Sequence, residues 1–95
     1  MTIELEKRKM YEIALTLLSS CGFYVDNFPK LEEAEYYKSG DFVSLSFSNG
    51  HFEYSLLKPE YKNHFCLLVW NSEYRSYRIN RHFCFYEVRN MGIDL

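Results

Sequence analysis

Phe42-Val-Ser-Leu-Ser-Phe-Ser-Asn-Gly-His-Phe-Glu-Tyr-Ser-Leu-Leu57 is the stretch that decides how this chain folds. Two runs of alternating residues flank Asn49-Gly50, a pair that enters a type I′ turn readily because both residues tolerate positive φ. With Asn49 and Gly50 as the loop, Ser48 faces His51, Phe47 faces Phe52, Leu45 faces Tyr54 and Val43 faces Leu56. One face is then wholly apolar: Val43, Leu45, Phe47, Phe52, Tyr54 and Leu56. The other carries Phe42, Ser44, Ser46, Ser48, His51, Glu53 and Ser55. A slip of one residue would turn three serines into the core, so the division of faces is firmly set.

N-terminal to the hairpin, Met10, Ile13, Ala14, Leu17, Leu18 and Cys21 fall on one helical stripe, which predicts an amphipathic helix over 3–20. Thr2 can cap it, Glu4 and Glu6 suit its first turn, and Glu4–Arg8 and Arg8–Glu12 are spaced as i,i+4 partners. Gly22 followed by Phe23 reads as its stop. Asp26-Asn-Phe-Pro29 is a turn or a helix start, and 30–38 is read as a short helix or turn, although Ala34–Tyr37 also suits a strand. Beyond the hairpin, Lys58–Asn63 is a loop marked by Pro59. His64–Trp70 is apolar on both faces, as in a strand covered on two sides. Asn71-Ser-Glu73 signals a turn, and Tyr74–Ile79 a β run with Arg75, Tyr77 and Ile79 on one side and Tyr74, Ser76 and Arg78 on the other. Residues 82–91 are rich in strand formers and are read as a strand, against a possible cap at Asn80 and a second stop at Gly92-Ile93. The expected fold is α+β: an N-terminal amphipathic helix packed on an antiparallel sheet of four to five strands, in a single domain spanning 1–95.

Composition excludes several classes. In 95 residues, 47% are hydrophobic and 19% aromatic, enough to build a core and too much for a disordered chain. A net charge of −2 argues against a wholesale polyanion binder. No run approaches the roughly 20 apolar residues that span a bilayer. Met1–Lys7 is charged and lacks the apolar stretch of a signal peptide. Cys21, Cys66 and Cys84, an odd number, suit a reducing cytoplasm and a role as small buried hydrophobes.

Catalytic chemistry finds little support. Ser44, Ser46, Ser48 and Ser55 lie on the outer face of a hairpin with no base or orienting partner in sight. The four glycines stand singly beside turns, so no phosphate-cradling loop exists. Glu32 and Glu33 point in different directions in either regular structure. His64-Phe-Cys66 is echoed by His82-Phe-Cys84, and two such strands side by side would offer a Cys₂His₂ set of the kind zinc takes. The spacing is unlike that of a zinc knuckle, however, and both pairs sit among large apolar residues. No cofactor and no metal ligand is therefore expected.

Binding is better supported. Arg75, Arg78, Arg81 and Arg89 lie late in the chain, and Tyr74-Arg-Ser-Tyr-Arg-Ile-Asn-Arg81 interleaves arginine with tyrosine. Such a strand suits a protein interface, where Tyr, Trp and Arg concentrate, or stacking on nucleotide bases. It also suits a solvated sheet edge blunted by charge. Leu68 and Trp70 would extend the serine face as an apolar patch unless the C-terminal segment covers it. The expectation is a small non-catalytic cytoplasmic protein-binding module with Trp70, Tyr74, Arg75, Tyr77, Arg78 and Arg81 as the contact residues. Inhibitors, immunity proteins and phage-encoded anti-defence factors belong to this size class, though no residue motif marks them here. A nucleic-acid-binding or regulatory module on 74–81 is the alternative, and a small zinc-stabilised domain the third reading. A protein partner is expected and no membrane one; a homodimer is compatible with the same patch.

Overall fold

The structure, a computed structural model, describes residues 2–26, 28–60 and 63–95. The parts of the two loop expectations that rest on Asn27, Tyr61 and Lys62 lie outside the described residues. Helix α1 spans Ile3–Ser20, as the periodicity requires, and buries Met10, Ile13, Ala14, Leu17 and Leu18. Thr2 Oγ1 accepts the Leu5 N–H at 3.2 Å, satisfying one of the orphan donors of the first turn. At the far end Gly22 stands at φ +89°, where a Cβ would be strained. Its N–H reaches Ser19 C=O at 3.0 Å, and the Phe23 N–H reaches Leu18 C=O at 3.0 Å, closing the helix with two backbone bonds. The i,i+4 pairs expected on the solvated side form no ion pair among the described residues. Glu6 instead reaches across to the sheet, 3.3 Å from Lys38 Nζ and 3.2 Å from the Tyr36 hydroxyl that donates to it.

The central hairpin forms with its loop one residue later than Asn49-Gly50. Strands β2 (Phe42–Asn49) and β3 (Phe52–Lys58) pair Asn49 with Phe52, Phe47 with Tyr54, Leu45 with Leu56 and Val43 with Lys58. The loop is Gly50-His51, and of the two only Gly50 has positive φ, at 60°, which matches a type II′ turn and not the expected I′. Displacing the loop by one residue changes every cross-strand partner yet leaves each side chain on its own face, so the division of faces survives. The observed register sets Leu45 (0% exposed) against Leu56 (1%) and stacks Phe47 on Tyr54, with ring centroids 5.1 Å apart and planes at 20°. Both registers bury the same side chains, so the observed one is distinguished by which partners meet. Such cross-strand pairs are worth roughly 0.2–1 kcal/mol each, and together these outweigh the local preference of the Asn-Gly turn.

Strand β1 (Glu35–Ser39) follows a 3₁₀ turn over Leu31–Glu33 and pairs with β2. The expected short helix or turn over 30–38 is thus confined to its first part. Tyr36 opposite Leu45 and the ladder to β2 override the helix propensity of the later residues. Strands β4 (His64–Asn71) and β5 (Ser76–Cys84) complete an antiparallel meander in the order β1-β2-β3-β4-β5.

The strand expected over 82–91 is corrected. β5 ends at Cys84, and Phe85–Asn90 form a short helix, α2. The Cys84 N–H donates to Glu87 Oε1 at 3.2 Å, the backward reach of an acidic third residue that marks a helix start. Helical spacing places Val88 at 0% exposure and the Phe85 ring 5.1 Å from Phe65, which a strand could not do on one side of the sheet. Both helices therefore pack on the same face, over Leu45, Leu56, Phe65, Leu67, Val69 and Phe83. Among the described residues nothing covers the opposite face.

Candidate functional site

The open face follows from the registers. One row runs Glu35, Ser46, Ser55, Leu68, Asn80 across the five strands, and the next runs Ser48, Glu53, Trp70, Tyr77. A third row, Tyr37, Ser44, Leu57, Cys66, His82, lies on the other side of the first. Hydroxyls occupy the β2 side and larger groups the β4 side. Because α2 packs beneath the sheet, the C-terminal segment leaves Leu68 and Trp70 partly exposed.

The structure separates the contact residues expected on one strand. Tyr74 and Arg75 belong to the turn 72–75 and not to a strand. Asn71, 7% exposed, explains why: its Oδ1 accepts from Glu73 N–H at 2.9 Å and from Tyr74 N–H at 3.1 Å, winding the chain through the turn. Arg75 then takes the left-handed conformation at φ 53° before β5 begins. The turn is also tied to the β2–β3 loop, where Ser72 N–H donates to His51 C=O at 2.8 Å and His51 Nε2 lies 3.2 Å from the Glu73 carboxylate.

A second irregularity overturns the expected alternation. Trp70 pairs with Tyr77 but Val69 pairs with Ile79, so Arg78 is an extra residue in a β-bulge. Tyr77 is consequently on the open face beside Trp70, with ring centroids 4.9 Å apart and planes at 70°, while Ile79 turns towards the core. Arg81, opposite Leu67, lies on the helix-covered side. Its guanidinium is 4.2 Å from the Phe83 ring centre and its Nη2 3.0 Å from Glu87, so it fastens α2 to the sheet. Trp70 and Tyr77 are brought together, Tyr74, Arg75 and Arg78 are exposed at the adjoining turn and bulge, and Arg81 stands apart.

The two His-x-Cys pairs do meet in register, His64 opposite Cys84 and Cys66 opposite His82, with the His64 and His82 rings 4.8 Å apart. Even so, no group of three or more His, Cys, Asp or Glu among the described residues is gathered as a metal ion requires. Cys66 is buried, and burial pushes its thiol above the ordinary range. Cys84 is exposed.

A shallow concavity of about 430 Å³ occupies one end of the open face. Ser46, Ser55 and Leu68 line it together with Trp70 and Tyr77, and the carboxylates of Glu33, Glu35 and Glu53 stand around it. Among the described residues, no basic side chain lines it. Glu33 Oε2 is engaged by the Lys30 N–H at 2.9 Å, whereas Glu35 and Glu53 make no hydrogen bond or ion pair among the described residues. These glutamates escaped the sequence reading as site residues. The signal was present, since Glu53 falls on the serine face and Glu35 in a locally acidic segment, but only the β1–β2 pairing sets Glu35 beside Ser46. Comparison of the chain with family models, curated proteins and solved structures gives no match in any of the three.

Proposed function

We propose that this chain is a small non-catalytic protein-binding module that docks a partner protein on its open sheet face, in the manner of an inhibitor or immunity factor. The observation that carries this reading is the one-sided coverage of the sheet: among the described residues both α1 and α2 pack on one face, leaving Leu57, Leu68, Trp70 and Tyr77 on the other together with the serines. Exposed aromatic and aliphatic side chains bordered by polar ones are the usual make-up of a protein contact surface. The arginines support a nucleic-acid reading less well than their sequence spacing suggests. Arg81 lies on the far face, paired with Glu87, and the concavity beside Trp70 is ringed by carboxylates that repel phosphate.

The test is capture from lysate by wild type, by Leu68→Asp and by an Arg75→Glu/Arg78→Glu variant, with and without nuclease, after circular dichroism shows each variant folded. Recovery of one protein in stoichiometric amount, unaffected by nuclease and lost with Leu68→Asp, is the expected result. Recovery abolished by nuclease moves the function to nucleic acid. Undiminished recovery with Leu68→Asp removes the open face from consideration.

A further inference from the structure

Resting on that reading, we infer that the concavity beside Trp70 receives a basic segment of the partner, with one arginine or lysine seated against Glu53, Trp70 and Tyr77 and a second reaching Glu35. Glu53 is the direct cross-strand neighbour of Trp70, and Trp70 of Tyr77, so a carboxylate and two ring faces border one position. A cation there gains the attraction of the carboxylate and of the aromatic quadrupoles together, and a guanidinium can stack and pair at once. Glu35 lies three strands from Trp70 in the sheet order and two residues along the strands, about 16 Å at the usual spacing and rise. An extended chain advances roughly 3.3 Å per residue and alternates sides, so residues i and i+4 put two cations on one side about 13 Å apart. That backbone step plus the length of the second basic side chain covers the span.

Charge selects this occupant over an acidic or purely apolar one. Among the described residues, three carboxylates and no basic side chain line the concavity, and neither Glu35 nor Glu53 is neutralised by a hydrogen bond or ion pair. An anionic segment would be repelled, and an apolar one would strip water from two unpaired carboxylates at a cost.

Trp70 is the chain's one tryptophan, so its emission reports on this position directly. The probe is a capped pentapeptide with arginine at both ends and three serines between, titrated in low-salt buffer beside its lysine and glutamate counterparts. A saturable change in emission with the arginine or lysine peptide and none with the glutamate peptide is expected. Affinity should fall roughly tenfold in Glu35→Gln/Glu53→Gln, about two surface-type charge contacts, and should weaken as salt is added. The inference is overturned if emission responds equally to the glutamate peptide, or to none of the three, or if the double Gln variant binds as tightly as wild type. Equilibrium sedimentation of both proteins adds one more outcome. A wild-type dimer that dissociates in the Gln variant would make a second copy, through its own Arg75 and Arg78, the occupant and would likewise overturn the assignment to another protein. The parent reading is judged separately: partner capture lost with Leu68→Asp but unchanged in the Gln variant would retain the docking face and discard the basic segment.

Discussion

Replacing Arg75 by glycine should make this protein more stable, an outcome opposite to most substitutions in a folded domain. Arg75 holds φ 53° in the turn between β4 and β5, a conformation that costs a residue with a Cβ roughly 1–2 kcal/mol. Its side chain is exposed and makes no hydrogen bond or ion pair among the described residues, so its removal forfeits little. Against the relief stands the greater freedom of glycine in the unfolded chain, about 0.4–1 kcal/mol. The balance is a gain of about 0.5–1 kcal/mol, which for a domain of this size raises the melting temperature by about 2–8 °C. Urea denaturation should show a higher midpoint with an unchanged slope. Arg75→Ala removes the same charge but keeps the Cβ and should leave the midpoint near wild type, which separates the backbone effect from the electrostatic one. A lower midpoint for Arg75→Gly, or an equal gain for Arg75→Ala, would refute the reasoning.

Asn71→Ala should act in the opposite sense: two backbone N–H groups lose their acceptor, at a cost of about 1–2 kcal/mol read from the same denaturation curves. The Lys38 ammonium and then the Tyr36 hydroxyl, opposed by partial burial, hold the Glu6 carboxyl below its ordinary value of 4.5. A depressed carboxylate contributes stability above its unfolded pKa and loses it as pH falls through the folded one. The melting-temperature gap between wild type and Glu6→Gln should therefore be full at neutral pH and close on acidification below about 4.5. A gap that persists unchanged in acid would count against the contact. Alkylation with iodoacetamide followed by peptide mass mapping should modify exposed Cys84 first and buried Cys66 last, because burial both screens that thiol and disfavours its thiolate. Chelation with EDTA should leave the melting temperature unmoved; a clear fall would revive the paired His-x-Cys sites as a structural metal centre.

The faces of the hairpin and the whole of α1 were legible in the sequence because both depend on local period. Alternation by two sorts Val43, Leu45, Phe47, Tyr54 and Leu56 from the serines whatever the loop does, and the stripe from Met10 to Leu18 fixes which side of α1 is buried. Thr2 and Gly22 act within a turn of their own positions, so their roles could be read directly. Tertiary structure decided the rest. The loop settled at Gly50-His51 because Leu45 meets Leu56 and Phe47 stacks on Tyr54, contacts that outweigh the local preference of Asn49-Gly50. Residues 85–90 became a helix because Val88 and Phe85 had to reach one face of a sheet whose position the sequence does not state. The candidate site was the least legible part. A single extra residue, Arg78, parts Tyr77 and Ile79 onto opposite faces, and β1 pairing alone carries Glu35 to the rim of the concavity beside Trp70. Local periodicity chooses a side for each residue within its own strand, whereas which strands lie side by side depends on free energies summed over the whole sheet.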